Sequence, residues 1–249
     1  MKGNQVMNVM YNKEFEFINN FIKEHAELKL KQVLMRKIGT LDAFGLSMKD
    51  IRALGKKIGL HHGLAIELFS TNMYEYLMLA SIIADPIKLD LETTRDWLKR
   101  AQSTSVVDQG LSPLLMNHPE RLEFLKSFLY DKNDDIRYGG FSLLSSYLRS
   151  ESLETLDTNL GNDALLMIKN NISTEPLTIQ NAMNNAVVMA GLHVPLLVDI
   201  ARDVASHVGH IMPLVARNQC NIQSASDYLK RYSNQPKYSR VAMLQARKG

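Results

Sequence analysis

The chain has a single cysteine, Cys220, among 249 residues, so no disulfide can form within it and the fold must hold without covalent staples. At this length a hydrophobic core is large enough to do so. The opening MKGNQVMNVMYNKEFEF holds no apolar stretch of the kind that directs secretion. Together with the lone cysteine, this predicts a reducing, cytoplasmic setting. Long apolar runs are also lacking: the most apolar one, Tyr76 to Ala84, stops at Asp85-Pro86, well short of the roughly 18 residues that a membrane span needs. Seven histidines, at 25, 61, 62, 118, 193, 207 and 210, are scattered. They supply neither a Cys-x-x-Cys nor a His-Glu-x-x-His spacing, so no metal and no other cofactor is expected. His207 and His210 can share a helix face but have no third ligand in view. A Gly-x-Gly-x-x-Gly turn, a Walker lysine and a Gly-x-Ser-x-Gly elbow are all missing, which leaves nucleotide and serine-hydrolase chemistry without support. Aromatics make up only 7%, and no stacking platform for single strands stands out.

What is present is helical periodicity. Apolar residues recur at helix spacing in Phe15, Ile18, Phe21 and Ile22, in Leu64, Ile66 and Leu68, and in Leu122, Leu125, Phe128 and Leu129, while strand-like alternation is nearly absent. Start signals agree: Ser47 before MKDIRALGKKIG, Asp90 before LETTRDWLKRA, Asn117-His118-Pro119 before ERLEFLKSFLY, and Ser224 before ASDYLKRY. Gly39, Gly59, Pro86, Gly110, Gly161 and Gly191 read as stops. Three segments, MYEYLMLASIIADP, DIRYGGFSLLSSYL and TIQNAMNNAVVMAG, look like variations on one unit that carries polar residues, then small residues (Ala80, Gly139-Gly140, Ala182), then an apolar run. Small residues let a neighbouring helix approach closely, as stacked helix pairs require. Their loose spacing is near that of HEAT or armadillo repeats, about 40 to 47 residues. The expected fold is therefore all-α, an α-α superhelix of HEAT-like helix pairs forming one domain over 1–249, with a basic tail at about 230–249. An irregular helical bundle predicts the same periodicity.

The net charge of +3 points to no particular partner, but its distribution does. After Asp227 there is no acid, while Lys230, Arg231, Lys237, Arg240, Arg247 and Lys248 follow, so the last 22 residues carry +6. A second group, Lys49, Arg52, Lys56 and Lys57, lies on one predicted helix, where 49, 52 and 56 share a face. Singly, each group is what a solvated helix or a frayed tail would show. Two in one helical stack favour contact with successive phosphates of duplex DNA. A protein–protein scaffold is the competing class, since helical repeats also hold peptides.

The order SMKDIRALGKKIG, MYEYLMLASIIADP, WLKRAQSTSVVDQ, DDIRYGGFSLL and IQNAMNNAVVMAG resembles the AlkD-type DNA alkylation repair family, the HEAT-like DNA glycosylases, from about residue 40 onward. NQCNIQSASDYLKR also resembles the ending of one branch of that family. The resemblance implies an enzyme that releases cationic N3- or N7-alkylated purines while holding double-stranded or distorted DNA by its backbone, without drawing the base into a pocket. An alkylated purine already carries positive charge and leaves without a general acid; what needs stabilising is the oxocarbenium-like sugar, which one carboxylate can do.

Carried over position by position, the match is partial. The family's Trp-Asp-x-x-Asp segment, whose last aspartate is the catalytic carboxylate, reads here Thr104-Ser105-Val106-Val107-Asp108: the aspartate is kept and the tryptophan is not. The family's functional arginine falls at Tyr138, with Arg137 one residue earlier and so turned by about 100°. A second family tryptophan matches Asn185. Asp108 is thus the catalytic candidate, and Thr104, Arg137, Tyr138, Asn181, Asn185, Lys49, Arg52, Lys56, Lys230 and Arg231 are the candidates for DNA contact. An aspartate before Gln109-Gly110 also suits a helix cap or an arginine partner. The polar group Gln180, Asn181, Asn184 and Asn185 suits either sugar-phosphate contact on a concave face shared with Asp108 and Arg137, or satisfaction of buried helix ends. Trp97, the remaining tryptophan, sits at core spacing beside Leu98. With the aromatic walls missing, weak or no excision is expected alongside DNA binding.

Overall fold

The computed structural model describes residues 11–211 and 224–247; Cys220 and Lys248 lie outside them. Among the described residues the regular structure is helical, as the periodicity predicts, and the only strand-like features are isolated bridges between Asp42 and Met73 and between His210 and Ser224. The chain divides into two compact units, Met1–Arg121 and Leu122–Gly249.

The first unit holds α1 (Asn12–His25), α2 (Leu28–Leu34), α3 (Met48–Ile58), α4 (His62–Phe69), α5 (Tyr74–Ile83), α6 (Leu91–Arg100), the short α7 (Thr104–Val106) and α8 (Ser112–Met116). α5 is its centre. Every residue from Tyr74 to Ser81 is buried, together with Ile83, as expected of a helix packed on all sides, and it is flanked by α3 and α4. α1 buries Phe15, Ile18, Phe21 and Ile22, the stripe read from the sequence. Trp97 of α6 is buried and stacks on Phe69 with ring centroids 4.1 Å apart, so it is core. The helix starts at Ser47 and Asp90 are true caps: their side chains accept the backbone N–H groups of Asp50 and Thr93.

The second unit begins as α9 (Arg121–Leu129) and continues through α10 (Asp134–Ser150), α11 (Thr158–Asn171), α12 (Leu177–His193), α13 (Val198–Val208), α14 (Ala225–Tyr232) and α15 (Arg240–Ala246). Here α12 is the buried centre, packed against α10, α13, α14 and α15. The Gly139-Gly140 pair does what its place in the repeat suggests: a Cβ on Gly140 would lie 2.8 Å from the backbone of Phe128 and Leu129, so α10 crosses α9 at a distance only glycine permits.

Three of the predicted stops are not stops. Gly161 lies inside α11, Gly191 inside α12, and Gly110 inside a continuous helical stretch from Thr104 to Met116. Each is a contact glycine. A Cβ would meet Leu197 at 2.6 Å from Gly161, Leu229 at 2.7 Å from Gly191, and the Ser81 hydroxyl at 2.8 Å from Gly110. Gly59, by contrast, ends α3 with φ of 75° and ψ of −166°, a positive-φ conformation that glycine adopts without steric cost.

Candidate functional site

α3 carries its apolar stripe, Ile51, Leu54 and Gly55, inward and leaves Lys49, Arg52, Lys56 and Lys57 exposed. Lys57 Nζ sits 4.8 Å from the centroid of the Phe21 ring. This helix is held in place by a buried acid. The Glu75 carboxylate, on α5, accepts backbone N–H groups from Phe44 (2.9 Å), Gly45 (2.7 Å) and Leu46 (3.1 Å), immediately before the Ser47 cap. Three donors on one carboxylate give the segment a single position, and with it the first turn of the basic helix. Sequence reading passes over Glu75 as a polar residue at the edge of an apolar run.

Asp108 lies on a widened turn. Residues Val107–Leu111 form a π-helical segment between α7 and α8, in which the Ser112 N–H donates to the Val107 carbonyl five residues back. Pro113 supplies the reason: it has no N–H to give and its ring crowds the carbonyl four residues earlier, so the helix expands by one residue where it meets the proline. Asp108 and Thr104 are both exposed on this stretch, while Val106, Val107 and Gly110 face inward. The stretch is anchored by Ser105, whose hydroxyl lies 3.1 Å from the Tyr74 hydroxyl and accepts from Gln109 Nε2 at 3.0 Å. The same Tyr74 hydroxyl contacts Met48 Sδ, on the first residue of α3. Burial raises the Tyr74 pKa above its ordinary value, with Glu75 adding to the effect and the Ser105 hydrogen bond opposing it. One neutral phenol therefore joins the basic helix to the Asp108 stretch. Preceding that stretch, Gln102 holds a left-handed φ of 47°, with the Thr40 hydroxyl donating to its side-chain oxygen.

The second unit holds the remaining candidates. Arg137 is engaged within the protein: its side chain is 15% exposed, and its guanidinium donates to Glu175 Oε2 (2.6 and 3.1 Å), to Asp134 Oδ1 (2.7 Å) and to the Asp131 carbonyl (2.7 Å). Burial works against its charge, but the hydrogen bond and ion pair with Glu175, followed by those with Asp134, outweigh it and raise the pKa. Arg137 fastens the start of α10 to the segment before α12, and its charge is balanced where it stands. Tyr138 beside it is half-buried. The polar group of α12 separates into different roles. Gln180 Nε2 donates to the Glu175 carbonyl at 2.7 Å, Asn181 Nδ2 donates back to Leu177 at 2.9 Å, Asn184 is fully buried, and Asn185 is half-buried.

The basic C-terminal group divides in the same way. Arg240 is structural: it donates to the carbonyls of Leu148 (2.8 Å) and Glu151 (2.6 Å) at the end of α10 and to that of His193 (2.8 Å) at the end of α12. A cation at two helix C-termini meets both their unpaired carbonyls and their dipoles. Lys230, Arg231, Lys237 and Arg247 are exposed. Among them the structure gathers Tyr228, Tyr232 and Tyr238, which the low aromatic content had hidden; the signal was local, an i, i+4 tyrosine pair bracketing Lys230 and Arg231. His210 pairs with Asp227 at 3.3 Å. Among the described residues no cluster of three metal-ligating side chains occurs, and no helix is long and apolar enough to cross a membrane.

Comparison with known proteins gives this geometry its context. An uncharacterised protein of Listeria monocytogenes is 22% identical over 202 residues, spanning 80% of this chain and 87% of its own length. One from Listeria innocua is 23% identical over 199 residues, spanning 78% and 85%. A solved structure, described as a new family of proteins related to the HEAT-like repeat DNA glycosylases with affinity for branched DNA structures, matches with a TM-score of 0.81 at 20% identity, covering 91% of this chain and 97% of its own. The fold is accordingly HEAT-like, as the loose helical repeat predicts. A sequence model described as DNA alkylation repair enzyme matches residues 13–217. The chain belongs to the DNA alkylation repair enzyme family.

Proposed function

We propose that the protein binds duplex or distorted DNA mainly through the phosphate backbone and excises alkylated purines weakly or not at all. The observation that carries this reading is the setting of Asp108: an exposed carboxylate on a widened helical turn, with Thr104 one turn before it where the resembling family places a tryptophan. The carboxylate that would stabilise an oxocarbenium-like sugar is kept. The aromatic walls that would hold a cationic base are replaced by Thr104 and Asn185. Cation–π contacts are worth about 0.5–2 kcal/mol each, and lost positioning groups can cost on the order of 100-fold in rate. Several such losses bring excision close to the uncatalysed level and leave backbone binding intact.

For binding, the exposed cations of α3 and α14, Lys49, Arg52, Lys56, Lys230 and Arg231, are available to phosphates. Arg137 and Arg240 are already held by protein acceptors. The affinity for branched DNA described for the structural relative supports DNA as the partner here. The test is incubation with DNA carrying 7-methylguanine or 3-methyladenine, with free base scored for wild type and Asp108→Asn. Binding with little release supports the proposal. Robust release abolished by Asp108→Asn would restore a full glycosylase, and release unchanged in that variant would remove Asp108 from the chemistry.

A further inference from the structure

On α14, Ala225 and Leu229 are buried, and the helical turn places the remaining residues on two flanks. Ser226 and Lys230 fall on one. With Arg202 and Ser206 of α13 and with Ser233 and Asn234 just beyond α14, they line an open groove rich in hydroxyl and cationic donors. Tyr228 and Tyr232 fall on the other flank, where their ring centroids are 4.5 Å apart, and Tyr238 joins them 4.9 Å from Tyr232. Arg231 lies 5.3 Å from the centre of the Tyr232 ring and Lys237 5.2 Å from that of Tyr238. Packing of the turn at 233–239 accounts for the Tyr232–Tyr238 contact. It does not account for Tyr228 and Tyr238 remaining 37% and 44% exposed in a cluster whose other contacts are the cations on Tyr232 and Tyr238.

We propose that this tyrosine cluster is a stacking platform for unpaired bases, so that the end of the second unit takes the single-stranded segment of a frayed or branched DNA. The inference rests on the DNA-binding reading above and adds to it which part of the DNA this surface receives. An exposed ring accepts any base on its π-face, and adjoining cations hold the strand's phosphates. Asp227, on the first turn of α14, lies 3.3 Å from His210, and no acid follows it in the sequence, which limits the repulsion that an anionic strand meets along the tyrosine turn. The groove on the opposite flank offers Lys230 and Arg202 to the backbone that leads to the bases.

The test uses the full chain and fluorescence anisotropy with three labelled probes: a blunt duplex, the same duplex with an oligothymidine tail, and free oligothymidine. Wild type is expected to prefer the tailed duplex over the blunt one by about fivefold or more, fivefold being the lower end of what one stacked base is worth. Tyr228→Leu with Tyr238→Leu should erase the preference and leave blunt-duplex affinity unchanged, and the corresponding Phe pair, which keeps the rings, should retain it. Equal binding of tailed and blunt probes by wild type overturns the proposal while the DNA-binding reading stands. So does a Leu pair that, still folded by circular dichroism, keeps the preference or loses affinity for every probe alike. Absence of binding to all three probes overturns both readings.

Discussion

Replacing Arg240 with alanine tests the most specific structural assignment in the second unit. The guanidinium donates to three carbonyls, those of Leu148, Glu151 and His193, at the ends of α10 and α12. Hydrogen bonds to a charged group are worth about 1.5–3 kcal/mol each, but Arg240 is only part-buried, so water will recover some of the loss. We expect Arg240→Ala to lower stability by about 2–4 kcal/mol, and Arg240→Lys, which keeps the charge without the fork, to lose about half as much. The assay is urea unfolding, read as a shifted midpoint at constant slope. A second readout comes from His193, whose pKa is pushed down to about 4, first by burial and then by the charges of Arg240 and Arg149. Because its folded pKa lies below its unfolded one, the unfolded state takes up the proton first. The wild type therefore keeps its full His193 contribution above about pH 6.5 and loses it as pH falls toward 4, by about 1–2 kcal/mol after allowance for solvent screening of a part-exposed ring. Removing Arg240 should raise the His193 pKa partway toward 6.5, seen by NMR titration of the ring protons. A variant within about 0.5 kcal/mol of wild type, or an unmoved His193, would refute the assignment.

Other outcomes follow from the same contacts. Glu75→Gln leaves three backbone N–H groups facing an amide that offers one oxygen, and is expected to cost about 2–4 kcal/mol and to loosen the start of α3, checked by thermal unfolding and by hydrogen exchange at Phe44 to Leu46. Gly140→Ala forces a Cβ to within 2.8 Å of backbone atoms of Phe128 and Leu129, and should destabilise by about 1–3 kcal/mol in chemical denaturation, in contrast to the small gain usual for Gly to Ala in a helix. Arg137→Ala should lower stability through the lost Glu175 pair but leave the salt dependence of DNA affinity unchanged, as titrations on the folded variant would show.

What the sequence made legible is what local chemistry dictates. Ser47, Asp90 and Ser224 cap helices because a short oxygen-bearing side chain before an apolar period meets the first free N–H groups, and that pattern is visible in a few residues. Glycine is ambiguous: it serves a positive-φ stop at Gly59 and a close crossing at Gly161 or Gly191, and only the neighbouring helix decides which. The same holds for charge. Arg137 and Arg240 look like two more cations in basic stretches, yet their partners lie at Glu175 and at the ends of α10 and α12, which no spacing reveals. Asp108 was legible through family resemblance, but the widened turn that carries it comes from Pro113 five residues later. Tyr228, Tyr232 and Tyr238 were hidden by averaging aromatic content over the whole chain, when the relevant density was confined to one short helix and the turn after it.

The central claim, that exposed cations on α3 and α14 bind DNA through its phosphates, is tested most directly by the salt dependence of affinity for a duplex and for a branched junction. Five such cations, Lys49, Arg52, Lys56, Lys230 and Arg231, set an expected log–log slope of about −4 to −5, so affinity should fall several hundredfold between about 50 and 200 mM salt. Lys49→Ala or Lys230→Ala should each reduce that slope by about one. No binding at low salt, or binding indifferent to salt, would contradict the account and favour a surface made for protein partners.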